Sequence, residues 1–102
     1  MVNKTFGDKL GNVTYYERKG AYLIAIENNK LAVAKCHKGC FLIGGGMEKN
    51  EDQIDCLKRE AIEETGHEVI VEGFVGSAES YSIHNYFGHF NPVQYYYHGR
   101  LG

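Results

Sequence analysis

The chain predicts an α+β fold: a mixed β-sheet carrying one well-defined helix, within one domain spanning residues 1–102. Three observations carry that prediction. Runs rich in Val, Ile and Tyr lie on both sides of a single helical segment. That segment has its own start signal, a semi-apolar face and a glycine stop. The whole chain is 102 residues with 43% hydrophobic content, enough for one core and too short for two domains. Strands, one helix, then strands is the order of a mixed α/β sandwich.

Residues 1–12 are polar and interrupted by glycine, and are expected to be loosely held. Val13 to Glu17 is a short first strand. Ala21 to Ile26 is the next, and Asn28-Asn29 turns the chain because Asn tolerates left-handed backbone. Leu31 to Cys36 is the return strand, His37-Lys38-Gly39 a loop, and Cys40 to Ile43 a brief apolar strand stopped by Gly44-Gly45-Gly46.

The helix is expected over Glu51–Thr65. Asn50 is its N-cap, with Gln53 completing a capping box, and Glu51 and Asp52 suit the positive end. Ile54, Leu57, Ala61 and Thr65 share a face, and Gly66 ends the helix. Glu68 to Gly76 follows as a strand that Ser77 to Tyr81 extends. Ser82 to His89 is a loop, and Val93 to His98 the last strand.

Charge and thiol content narrow the function classes. With 11 Lys+Arg against 13 Asp+Glu, the net charge of −2 argues against a nucleic-acid polymer as partner. Small anionic ligands need only local charge. The longest apolar run, Ala21 to Ile26, is far below the ~20 residues of a membrane helix. Residues 1–8 hold no apolar signal core. Three cysteines, an odd number, suit reduced thiols, and these features together point to a cytoplasmic protein.

The second half of the helix concentrates negative charge. Glu60, Glu63 and Glu64 stand at i, i+3 and i+4, on one face. Such like-charged pairs cost about 0.2–0.5 kcal/mol each. They also crowd the end where the helix dipole disfavours anions. A hard divalent cation such as Mg²⁺ or Mn²⁺ would relieve both costs, and it takes carboxylate oxygens while leaving positions for phosphate. A merely solvated acidic face is the plainer alternative.

The surrounding spacing decides between them. Gly45, five residues, Glu51, seven residues, then Arg59-Glu60-Ala61-Ile62-Glu63-Glu64-Thr65-Gly66 resembles the signature box of the Nudix (MutT-like) hydrolases. Every fixed position matches. The closing aliphatic position is His67, and Ile43 stands where the lead-in usually has proline. Many fixed positions over one short span make the pattern specific.

The resemblance implies an α/β/α sandwich around a mixed sheet, and a hydrolase that uses Mg²⁺ or Mn²⁺ to cleave a diphosphate linkage in a nucleoside diphosphate derivative or nucleoside triphosphate. Carried over, Glu60, Glu63 and Glu64 are the metal ligands, with the Gly45 carbonyl as a further one. Glu51 and Arg59 brace the loop and helix as an ion pair. Spacing alone does not show that pair, since eight helical positions leave two residues about 80° apart around the axis. Glu64 or Glu63 is expected to position or deprotonate the attacking water, with Glu79 in reserve. The alternative is a non-catalytic nucleotide-binding module, or an incomplete fragment with its box intact.

Other signals rank lower. Cys36-His37-x-x-Cys40 lacks the second ligand pair of a zinc site. Gly44-Gly45-Gly46 lacks the Lys-Ser/Thr of a phosphate-binding loop. Tyr95 and Tyr97, or Tyr96, read as sheet packing, because one strand face cannot hold all three. Tyr81 and Tyr86 flank the expected loop and, with Glu79, are the substrate-contact candidates. The family's fold calls for a further strand and a C-terminal helix, for which Gly99 to Gly102 leave no room. A shortened chain, or one that completes its sheet as a homodimer, is expected.

Overall fold

The computed structural model describes residues 2–36, 39–84 and 88–102. In chain order it forms β1 (Val2–Phe6), β2 (Tyr16–Ile24), β3 (Ile26–Glu27), β4 (Lys30–Leu31), β5 (Val33–Cys36), β6 (Gly39–Gly46), α1 (Gln53–Thr65), β7 (Val69–Ser80), β8 (Ser82–His84) and β9 (Gly88–Leu101). Among the described residues, seven strands make a mixed sheet ordered β1-β7-β9-β2-β6-β5, with β8 on β9. β3 and β4 form a separate two-stranded ribbon. Its turn is Asn28-Asn29, both left-handed at φ 52° and 62°, as the sequence predicts.

The sheet is mixed because β1 runs parallel to β7 and β2 parallel to β9, while β6 and β7 run antiparallel to their neighbours β2 and β9. Alternation then decides what faces α1. Ala21 and Leu23 on β2, with Ile43 on β6, point to the helix and are fully or nearly fully buried. From α1, Cys56, Leu57 and Ala61 meet them. Full burial of a residue such as Leu57 contributes roughly 1.5–3 kcal/mol. Tyr97 and Val71 pack at the margin of this cluster. Tyr97 donates its hydroxyl to the Gln53 side chain on α1 and tilts against Phe74. Tyr96, on the other face, meets Tyr22 and donates to Gln94. Tyr97 and Tyr96 therefore pack on opposite faces of β9.

Several element boundaries differ from the sequence expectation. Residues 2–6 are a paired edge strand; the polar composition of residues 3–6 reflects an exposed position, not a loose one. Val13 to Glu17 is no separate strand, since β2 runs unbroken from Tyr16 through Gly20. The three glycines do not stop β6, because β2 pairs with them through Gly46. Part of the expected loop at 82–89 is strand, in β8 and at the start of β9. The helix begins two residues later than expected. Asp52, not Asn50, is the N-cap, its Oδ1 accepting the Asp55 N–H at 2.7 Å. Asn50 is left-handed at φ 66°, turning the chain one step earlier. Gly66 does cap the C-terminus, left-handed at φ 74° with its N–H on the Ile62 carbonyl.

The partner of β9 changes partway along it. β7 pairs with it as far as Val93 and β8 from Phe90 back, so Asn91 and Pro92 pair with neither on that side. Proline, lacking an N–H, suits such a gap. Asn91 is 5% exposed and fills it, donating through Nδ2 to the Ser80 carbonyl at 2.7 Å. No helix among the described residues is long and apolar enough to cross a membrane.

Candidate active site

The segment from β6 through α1 assembles around Arg59. Glu51 lies before the helix, in the loop, and from there its carboxylate meets the guanidinium edge-on. Arg59 Nε donates to Glu51 Oε2 at 2.7 Å and Nη2 to Oε1 at 3.0 Å. The Glu48 N–H also donates to Glu51, at 2.9 Å. This paired geometry, the strongest arrangement for arginine and carboxylate, holds the Glu51 carboxyl down at about 2. Hydrogen bonding to Arg59 is the largest cause, and the same contact raises the guanidinium above its already high range.

Arg59 also ties the helix to the sheet. Its Nη2 donates to the Gly46 carbonyl at 3.1 Å. Its Nη1 reaches Glu60 at 2.9 Å, Glu63 at 3.3 Å and Glu48 at 3.4 Å. One side chain therefore touches three of the predicted site residues, Glu51, Glu60 and Glu63. Glu48 was not anticipated; its place in the loop of the box was the available signal.

Glu64 turns instead to the strand. Its Oε1 accepts the Gly44 N–H at 2.8 Å. Partial burial, the largest effect, and the charges of Glu60 and Glu63 raise its carboxyl above the usual range, against that hydrogen bond. Glu60 packs on the neighbouring Gly45, where a Cβ would stand 2.7 Å from the Glu60 carboxyl carbon. At Gly44, φ is 143° and a Cβ would stand 2.1 Å from the Ala21 carbonyl oxygen. The two glycines are thus the clearance that lets the acidic helix face close on β6. The Gly45 carbonyl accepts the Cys56 thiol at 3.3 Å.

The donor set is carboxylate and carbonyl oxygen throughout, the chemistry a hard divalent cation prefers. Among the described residues, no three His, Cys, Asp or Glu side chains are gathered around one point. Arg59 bridges Glu60 and Glu63, so a cation would have to displace part of that bridge.

The other predicted residues lie elsewhere. Glu79 and Tyr81 wall a separate cavity beside Asn91 and are not among the contacts of the box. Tyr86 lies outside the described residues, as does His37 of the Cys-His-Cys pattern. Neither departure from the box disturbs its geometry. Ile43 is 1% exposed in the core. His67 is exposed, its N–H capped by the Thr65 hydroxyl at 3.0 Å, so a polar residue is tolerated there.

Comparison with known proteins agrees with this architecture. The family model described as NUDIX domain matches residues 14–101. No match is found among curated proteins. Among solved structures, a NUDIX hydrolase from Nitrosomonas europaea is similar at TM-score 0.66 and 18% identity, over 85% of this chain and 60% of that one. The E. coli ORF135 protein is similar at TM-score 0.59 and 22% identity, over 86% and 67%. A UDP-X diphosphatase is similar at TM-score 0.63 and 15% identity, over 89% and 46%. At these identities the likeness is one of fold, and this chain spans less than two thirds of the first and under half of the third. The family match and the fold together place the chain in the Nudix domain family.

Proposed function

We propose that this chain hydrolyses a diphosphate linkage in a nucleoside diphosphate derivative or nucleoside triphosphate, with Mg²⁺ or Mn²⁺ as cofactor. The observation that carries it is the contact of one acidic helix face with two adjacent strand glycines: Glu64 on Gly44 and Glu60 on Gly45. Glu60, Glu63, Glu64 and the Gly45 carbonyl would hold the ion. When bound, a divalent ion neutralises phosphate oxygens and makes water a better nucleophile.

The chain's own residues supply position and proton transfer. Glu51 and Arg59 fix the loop to the helix, so the three glutamates stand on a braced support. Glu64 or Glu63 takes the proton as the water oxygen bonds to phosphorus, and the bridging P–O bond breaks with its electron pair on the departing phosphate. A carboxyl raised above the usual range by burial, as in Glu64, is the better proton acceptor near neutrality. The name of the similar UDP-X diphosphatase supports a nucleoside diphosphate group in the substrate.

The test is product release from nucleoside triphosphates, nucleotide sugars, ADP-ribose and dinucleoside polyphosphates, with Mg²⁺, Mn²⁺ or chelator. Turnover should vanish in chelator and return with metal. Glu64→Gln should lower it by about 10²-fold or more. Folded protein that binds Mn²⁺ but turns over nothing would make the chain a nucleotide-binding module.

A further inference from the structure

The glycines that α1 closes on also have a far side. Ala21 and its register partner Gly45 face the helix, so Gly20, Gly44 and Gly46 lie on the opposite face of β2 and β6. Glycine brings no side chain to cover its own backbone, and in a strand interior it weakens the strand. Yet Gly20 and Gly44 are both buried. The Tyr22 ring covers them. A Cβ on Gly44 would stand 2.9 Å from Tyr22 Cδ1, and one on Gly20 would stand 3.0 Å from Cε2 and 3.1 Å from the hydroxyl oxygen. The Arg18 guanidinium continues this roof over Gly46, where a Cβ would stand 2.8 Å from Nη2. Tyr96, whose hydroxyl donates to Gln94, backs the Tyr22 ring at 5.9 Å.

Gly44 is where this roof meets the acidic helix face. β5 pairs with β6 only as far as Val33 with Leu42, so Gly44 lies past the end of that ladder. Its N–H goes to Glu64 Oε1 at 2.8 Å. At φ 143° Gly44 keeps a backbone conformation that other residues rarely adopt. A run of three glycines without cover would reach many other conformations, and the direction of that N–H would wander with them. The contacts from Tyr22 to Gly44 to Glu64 thus cross the sheet from its far face to the box.

We propose that Tyr22 is a positioning residue for Glu64. Its ring fixes the Gly44 backbone, and with it the N–H that aims the Glu64 carboxylate. A carboxylate that must stay within about 0.5 Å of its working place needs support whose own conformation is locked. An aromatic ring laid across strand glycines supplies that lock. The proposal rests on the diphosphate-hydrolase reading for what Glu64 does. The hold of the ring on Gly44 is independent of that reading, and can be measured without metal or substrate.

The test compares Tyr22→Phe, which keeps the ring, with Tyr22→Leu and Tyr22→Met, which keep apolar bulk without one. Amide hydrogen exchange of Gly44 is measured against that of Ala61, buried on α1, because a general loss of stability speeds both alike. In the ringless variants Gly44 should exchange about tenfold faster relative to Ala61, and in Tyr22→Phe at the wild-type ratio. Mn²⁺ affinity, titrated by electron spin resonance, should fall about tenfold in the ringless variants and hold in Tyr22→Phe. Their kcat should fall more than their KM rises. Equal acceleration of Gly44 and Ala61, unchanged Mn²⁺ affinity without the ring, or a Tyr22→Phe as impaired as the ringless variants would overturn the proposal. A folded wild type that binds no Mn²⁺ would overturn the hydrolase reading instead. The exchange ratio would then decide alone: raised, it keeps the link from Tyr22 to Glu64, and unraised, it removes it. Metal-dependent turnover with an unraised ratio would keep the hydrolase and overturn the proposal.

Discussion

Arg59 grips Glu51 through two parallel hydrogen bonds, at 2.7 and 3.0 Å, although the two stand eight positions apart in the chain. In a continuous helix they would stand about 80° apart. The contact forms because α1 starts at Gln53, with Asp52 extended at ψ 176°. Glu51 is therefore a loop residue that folds back over the helix. The same displacement explains why Asn50 cannot serve as the cap.

That clamp makes stability depend on pH. Glu51 titrates at about 2 in the folded chain, against an ordinary 4.5. A depressed carboxyl stabilises the fold above its unfolded pKa and loses that effect as pH falls toward the folded one. The urea midpoints of wild type and Glu51→Gln should therefore differ most near neutrality and converge between pH 4.5 and 2. A gap that stays constant through that window would count against the clamp.

Gly44→Ala should destabilise the fold even though it adds only a methyl group. The residue sits at φ 143°, with backbone 2.1 Å from the new carbon. Strain of this kind costs at least about 2 kcal/mol. The melting temperature should fall by roughly 8 °C or more. An unchanged melting curve would contradict the close packing of β2 on β6.

Cys56 should be inert to thiol reagents in the native state. It is fully buried, and burial pushes its thiol up to about 11. At pH 8 only about one part in a thousand is thiolate. In a Cys36→Ser, Cys40→Ser background, the remaining thiol should react only as denaturant unfolds the chain. Prompt labelling of the native protein would mean that the core under Gly45 opens.

Tyr97→Phe removes the hydroxyl that links β9 to Gln53 at the start of α1. The loss should be about 1 kcal/mol, a melting shift of roughly 4–8 °C. Circular dichroism melts would show it. No shift would mean that the helix start is held without this bond.

What was legible in the sequence was whatever depends on local spacing. The glutamate face, the Gly66 stop and the Asn28-Asn29 turn all follow from near neighbours. So did the Glu51–Arg59 pair, though only through the family pattern. The long-range pairing was not legible. Residues 2–6 form a strand only because β7 lies beside them, with Val2 paired to Gly76 far along the chain. Gly44 to Gly46 read as a stop, yet β2 makes them strand. Asn91 gave one signal, a polar residue next to proline in a β-forming stretch. That signal gains meaning only once β9 is seen to change partners there.

β1 carries a practical consequence for anyone choosing where to cut this chain. The family match begins at residue 14, after β1 has already paired with Gly76 to Ser80. A version trimmed to the matched region would keep every residue of the box. It would also strip one side of β7 of its five-residue partner and leave a bare strand edge, a template for self-association. Such a version would be expected to lose solubility before it lost any residue of the box.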